Sequence, residues 1–101
     1  MNQEIIIVTI DKDLEDLIPG FMANRNKELQ LLQNAHASSD FSTIQSIGHG
    51  LKGVGGGYGF DRMSELGAEI EIAAKGKKLD RLKELIESYA SYLSRVEIRF
   101  A

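Results

Sequence analysis

Phe41-Ser42-Thr43-Ile44-Gln45-Ser46-Ile47-Gly48-His49-Gly50-Leu51-Lys52-Gly53-Val54-Gly55-Gly56-Gly57-Tyr58-Gly59-Phe60 carries two conflicting signals. Phe41, Ile44, Ile47, Leu51, Val54 and Tyr58 recur at spacings of three and four, which gives one apolar face of a 3.6-residue helix. The same stretch is crowded with glycine, and each glycine inside a helix destabilises it by roughly 0.8–1.0 kcal/mol relative to alanine. On a wheel of roughly 100° per residue, His49 falls opposite the apolar face. Its helical neighbours are Gln45 one turn before, then Lys52, Gly53 and Gly56. Gly48 and Gly55 fit close packing against another helix. Gly53 and Gly56 point outward, where packing inside the protein gives no reason for them.

Working outward, the flanking segments read as further amphipathic helices. Pro19 suits the first turn of a helix running to about Ala37, with Met22, Leu29, Leu32 and Ala35 or His36 turned inward. Asp11 and Asp13 are candidate caps for a short helical turn through Leu17. Ser38-Ser39-Asp40 is a turn ending in a cap. After Phe41 the helical pattern runs on until Gly55–Gly59 interrupts it. Asp61 is placed to cap a third long helix, with Met63, Leu66, Gly67, Ile70, Ala73 and Ala74 inward and Gly76 as its closing glycine. A fourth helix carries Leu79, Leu82, Leu85 or Ile86, Tyr89, Leu93 and Val96 on one face. At the ends, Ile5–Ile10 and Val96–Phe100 read as short extended arms.

These elements predict an all-α fold: an antiparallel up-down-up-down four-helix bundle, one domain over residues 1–101, with short extended N- and C-terminal arms. In that topology the first helix starts and the last helix ends at the same end of the bundle, so the arms are predicted to pair as a small two-stranded ribbon.

The 101 residues suit one compact domain. A net charge of −3 gives no reason to expect nucleic acid. No apolar run approaches the ~20 residues of a membrane span. With no cysteine, there is no disulfide, thiol nucleophile or thiolate metal site. No export signal is visible, so the expected compartment is the cytoplasm. The Glu-x-x-His pairs of a di-metal carboxylate bundle are absent, and no metal or cofactor of the chain's own is expected. Gly48–Gly53 matches G-x-G-x-x-G, but a helical pattern precedes it where a dinucleotide site needs a strand.

An outward imidazole beside an ammonium and bare backbone is suited to carrying an anion. Neutral histidine is a nucleophile, and the neutral form is abundant near an ordinary pKa of ~6.5. Lys52 supplies positive charge where a bound anion would sit, as a phosphate-binding lysine does. His49-Gly50-Leu51-Lys52-Gly53, followed by Gly59, resembles the His-x-Leu-Lys-Gly signature of histidine phosphotransfer domains. Leu66, Glu69 and Glu71 resemble that family's following helix, and the likeness covers essentially the whole chain.

The resemblance implies that His49 is phosphorylated at Nε2, that Lys52 stabilises the phosphoryl group and that Gly53 makes room for the partner's active site. It implies a phosphorelay carrier without turnover of its own. The partners would be a response-regulator receiver domain, which brings the phosphoaspartate and Mg²⁺, and/or a sensor histidine kinase; no nucleic acid or membrane partner is implied, and a monomer is expected. Gln45, Ser46, Gly53 and Gly56 are the candidate docking residues around His49, and Gln45 is placed to hydrogen-bond the ring or the phosphoryl group. The alternative is a helical interaction adapter that binds partners without carrying phosphate. His36, near Leu32 and Phe41, reads as a packed or capping histidine. Glu65, Glu69 and Glu71 read as a solvated acidic face, with Glu71 spaced to pair with Lys75.

Overall fold

The computed structural model describes residues 4–101. Along the chain run strand β1 (Ile6–Ile10), a 3₁₀ segment (Lys12–Leu17), helices α1 (Ile18–Ala37), α2 (Phe41–Gly57), α3 (Asp61–Lys75) and α4 (Leu79–Arg95), and strand β2 (Val96–Phe100). The three-residue connections force successive helices to run antiparallel, and α1 closes the bundle by packing against both α2 and α4. The core is one apolar cluster to which all four helices and β1 contribute.

All three interhelical turns close in the same way. The amide after the left-handed residue reaches back five positions: Asp40 to Ala35 O, Phe60 to Gly55 O and Lys78 to Ala73 O, at 2.8, 2.8 and 3.0 Å. This is the Schellman closure, which needs a positive φ at the residue past the helix end. Gly59 supplies it after α2 (φ +91°), whereas Ser39 and Lys77 adopt it after α1 and α3 (φ 55° and 54°). The expected role of Gly76 is therefore corrected. Its amide still bonds Ile72 O in helical fashion at φ −84°, and the reversal falls one residue later, on Lys77.

Asp40 caps α2 as expected. Its carboxylate accepts from the Thr43 amide at 3.2 Å and the Thr43 hydroxyl at 2.6 Å, and these bonds hold its pKa below the ordinary value. Asp11 likewise accepts from the Asp13 amide at 2.9 Å, and the short turn through Leu17 is a 3₁₀ segment. Asp61 does not cap α3. Phe60 occupies that position, drawn into the core and stacked on Phe21 at 5.2 Å, so Asp61 becomes the first helical residue, near the positive end of the helix dipole. Phe21, also in contact with Tyr58 at 4.4 Å, leads the buried face of α1 together with Ile18, leaving Met22 and Leu29 only half-buried. On α4, Leu79 stays exposed at the end of the bundle, and Leu85, Ile86 and Tyr92 are all buried.

The arms do pair, and in parallel, with Ile6 opposite Val96 and Ile10 opposite Phe100. β1 begins beside the end of α4 and runs outward alongside β2; the 3₁₀ segment then turns the chain back into α1. The whole bundle thus serves as the crossover that parallel strands require. Ile6, Val8, Ile98 and Phe100 pack against the core, while Ile7 and Glu97 face out.

The most intimate contact is between α2 and α3. A Cβ added at Gly48 would lie 2.8 Å from Glu71 N and 2.9 Å from Gly67 O. One at Gly67 would lie 2.6 Å from Lys52 N and 2.8 Å from Gly48 O, and one at Gly55 would lie 2.8 Å from Ser64 N. The two backbones touch, which carries α2 through Gly55 to Gly57, beyond the point where the sequence pattern weakens. The Ser64 hydroxyl adds a 2.6 Å hydrogen bond to Lys52 O.

Two tests follow from the packing. Gly67→Ala is expected to lower stability in urea denaturation by about 1–3 kcal/mol, because it overpacks a backbone contact. Gly53→Ala, with nothing within 4 Å of its added Cβ, is expected to raise stability by about 0.5–1 kcal/mol. A further test concerns tyrosine. Burial, reinforced by nearby Glu28, pushes the Tyr89 phenol far above its ordinary 10.0, and burial pushes Tyr92 up to about 12. Both are neutral when folded, whereas the unfolded chain ionises them near 10. Their stabilising contribution is complete below pH 10 and is lost as pH rises toward 12. Unfolding across that window, with tyrosinate absorbance rising together with loss of helical circular dichroism, is the expected outcome.

Candidate functional site

The glycine contact sets the height of α2 against α3. Because Gly48 rests on the amide of Glu71, the next residue of α2, His49, is level with the Glu71 side chain. His49 Nδ1 lies 3.0 Å from Glu71 Oε2. The imidazole is 73% exposed, whereas the Glu71 side chain is only 12% exposed. A carboxylate oxygen accepts, so the ring donates from Nδ1–H. That fixes the tautomer and leaves the lone pair on Nε2, which has no partner among the described residues, available to an incoming group.

Glu71 is also the meeting point of two ammonium groups. Lys52 Nζ is 3.9 Å from Oε1, and Lys75 Nζ is 3.9 Å from Oε2. Both distances exceed hydrogen-bonding range, and both lysines are more than half exposed, so each ion pair contributes little to stability. The positive charge is held beside the ring without being tied down.

The sequence-predicted residues gather as follows. Lys52 follows His49 by one turn on α2, and its backbone is gripped by Ser64 and Gly67. Gln45 and Ser46, with Ser42 and Glu71, line an open depression beside His49. The partner of the ring is Glu71 rather than Gln45. Gly53 and Gly56 are exposed; a Cβ at Gly53 would meet nothing within 4 Å, and one at Gly56 would meet only Ser64 Oγ at 3.9 Å. His36 lies outside the site. Its Nε2 donates to Leu79 O at 2.9 Å, tying the last turn of α1 to the first turn of α4.

Glu71 corrects the sequence reading of a solvated acidic face. Glu65 fits that reading, pairing with Arg62 at 3.5 Å on the surface, and Glu69 reaches Arg81 of α4 at 3.7 Å. Glu71 instead turns toward α2 and is mostly buried under the imidazole. The signal that could have found it is the pair of small residues, Gly48 one position before His49 and Gly67 four before Glu71. Lys75 was expected as the i,i+4 partner of Glu71 and does reach it, though its nearness to His49 was not foreseen, and Ser64 was missed altogether, because helix periodicity gives a direction but not a neighbour.

A comparison with protein-family models matches the family described as Hpt domain over residues 12–98, from the 3₁₀ segment into β2. The chain belongs to the Hpt domain family. Hpt domains are helical phosphocarriers of phosphorelays, acting in histidine phosphotransfer with receiver domains or kinases rather than as catalysts. Neither the search of curated proteins nor that of solved structures returned a match. Among the described residues of this Hpt domain, no helix is long and apolar enough to cross a membrane.

The tautomer is directly measurable. In ¹⁵N-labelled protein, His49 is expected to show a protonated Nδ1 and an unprotonated Nε2 wherever the ring is neutral. Glu71→Ala is expected to redistribute the proton between the two nitrogens; an unchanged tautomer would show that Glu71 does not orient the ring.

Proposed function

We propose that His49 accepts a phosphoryl group at Nε2 from a receiver-domain aspartyl phosphate and returns it to another receiver aspartate. The observation that carries this reading is the Nδ1–Glu71 hydrogen bond, which supports an exposed, correctly protonated nucleophile on a rigid helix.

In the forward step the Nε2 lone pair attacks phosphorus, the N–P bond forms, and the P–O bond to the partner's carboxylate breaks, releasing the carboxylate. Nδ1 keeps its proton, so the phosphorylated ring carries positive charge, and Glu71 lies 3.0 Å away to offset it. Because the same positive charge makes the ring a good leaving group, the reverse transfer is open too. The partner supplies Mg²⁺ at its aspartate, and Lys52 helps neutralise the phosphoryl oxygens. Gly53 and Gly56 leave bare backbone for the partner to approach, with Gln45 and Ser46 at the rim. The chain acts as a monomeric carrier with no turnover of its own.

Incubation with a panel of phosphorylated receiver domains tests the proposal. Wild-type protein is expected to gain a label that is lost in acid and survives in base, and His49→Gln is expected to gain none. A folded protein that binds a receiver yet takes no label would support the adapter alternative.

A further inference from the structure

Serine hydroxyls in helices and at their ends ordinarily bond back to a carbonyl three or four residues earlier in the same segment. Ser38 and Ser94 do so here, the first to Asn34 O and Ala35 O at 3.3 Å and the second to Ser91 O at 2.8 Å. Ser64, in the first turn of α3, does not. Its amide bonds Phe60 O at 3.1 Å, but its hydroxyl crosses to α2 and donates to Lys52 O at 2.6 Å. Among the described residues, no other serine hydroxyl bonds a different helix.

The place where that bond lands is informative. Lys52 is the last residue of α2 before Gly53, Gly55, Gly56 and Gly57. Each of these glycines makes the helix several-fold less favourable than alanine would. Fraying that begins at the end of α2 therefore meets little resistance until it reaches Lys52. In helical pairing the Gly56 amide donates to Lys52 O, and the Ser64 hydroxyl is a second donor to the same oxygen from outside the helix. Gly67 closes on the other side of the residue, where an added Cβ would lie 2.6 Å from Lys52 N.

The Lys52 side chain, by contrast, is held loosely. It is more than half exposed, and its ammonium stands 3.9 Å from Glu71 Oε1, beyond hydrogen-bonding range. Where the ammonium sits is thus set by the backbone that carries it. Contact between the helices does not itself call for the hydroxyl, because Gly48, Gly55 and Gly67 already bring the two backbones together.

We propose that Ser64 is a positioning residue for Lys52. Its hydroxyl pins the Lys52 carbonyl, so that the glycine-rich turns beyond can loosen without carrying the lysine away from His49. The proposal rests on the reading of Lys52 as a residue that stabilises phosphorylated His49.

Two measurements on the whole chain test it. Amide hydrogen exchange reads the helix: Ser64→Ala is expected to speed exchange at Gly56 and Gly57 on the order of fivefold and to leave the buried turns of α4 unchanged. The second measurement reads the site. Labelling with phosphoramidate needs no partner protein, and ³¹P NMR then follows ionisation of the phosphoryl group on His49 as pH is varied. Lys52→Ala is expected to raise the midpoint by about half a pH unit, as loss of one nearby positive charge in a solvated site should. Ser64→Ala is expected to raise it by less, and to add nothing in a Lys52→Ala background, since it acts through that lysine. Unchanged exchange at Gly56 and Gly57 would overturn the proposal. So would a Ser64→Ala midpoint equal to wild type while Lys52→Ala shifts, or a Ser64→Ala shift that persists undiminished without Lys52; either would leave Ser64 a fastener of two helices. A Lys52→Ala midpoint equal to wild type, or a wild-type protein not labelled on His49, would overturn the roles on which the proposal rests and the proposal with them.

Discussion

The structure depends on a contact between two backbones. Gly48 on α2 and Gly67 on α3 bring the helices so close that a single methyl group on either would collide with main-chain atoms. That approach is the frame within which an exposed histidine can meet a carboxylate from another helix. Helix α2, weakened by its glycines, forms because its apolar face is buried and because α3 lies flush against it. The hydroxyl of Ser64 on Lys52 O fastens the turn that carries the lysine. Architecture and site are therefore not separable on this side of the bundle.

The glycines of α2 divide into two sets with opposite physical meanings. Gly48 and Gly55 face α3, where side chains would push the helices apart. Gly50, Gly53 and Gly57 face open space, and Gly56 meets only the edge of Ser64. The first set stabilises the packed fold by permitting contact; the second destabilises the helix and gains nothing within the chain. Rigidity at the ring and bareness beside it suit a carrier whose chemistry is completed by another protein. On the far side of the bundle, polar groups serve packing instead. Arg25 lies over the Phe21 ring at 4.7 Å, and its Nε is 2.6 Å from Glu28 Oε1, although the approach is not aligned as a hydrogen bond.

The apolar periodicity made the four helices legible, together with the direction of His49 and the two classes of glycine, because each is a property of one segment. Pairing of the arms also followed, since up-down-up-down connectivity places both ends of the chain together. Their parallel direction did not, because it depends on the 3₁₀ turn reversing β1 into α1. Gly76 and Asp61 look like ordinary helix punctuation, but the reversal falls on Lys77, and Phe60, drawn into the core, takes the cap position. The site was legible on α2 and illegible on α3. Glu71 and Lys75 are distant in sequence, and only the Gly48–Gly67 contact decides which α3 residues stand beside His49.

The transfer proposed for His49 sets one chemical requirement: the ring reacts at Nε2 while Nδ1 remains protonated against Glu71. Nitrogen-15 spectra of the phosphorylated protein address this most directly, since phosphorus coupling identifies the bonded ring nitrogen. The account predicts coupling to His49 Nε2 with the proton retained on Nδ1. Phosphorus on Nδ1, or on any residue other than His49, would contradict it.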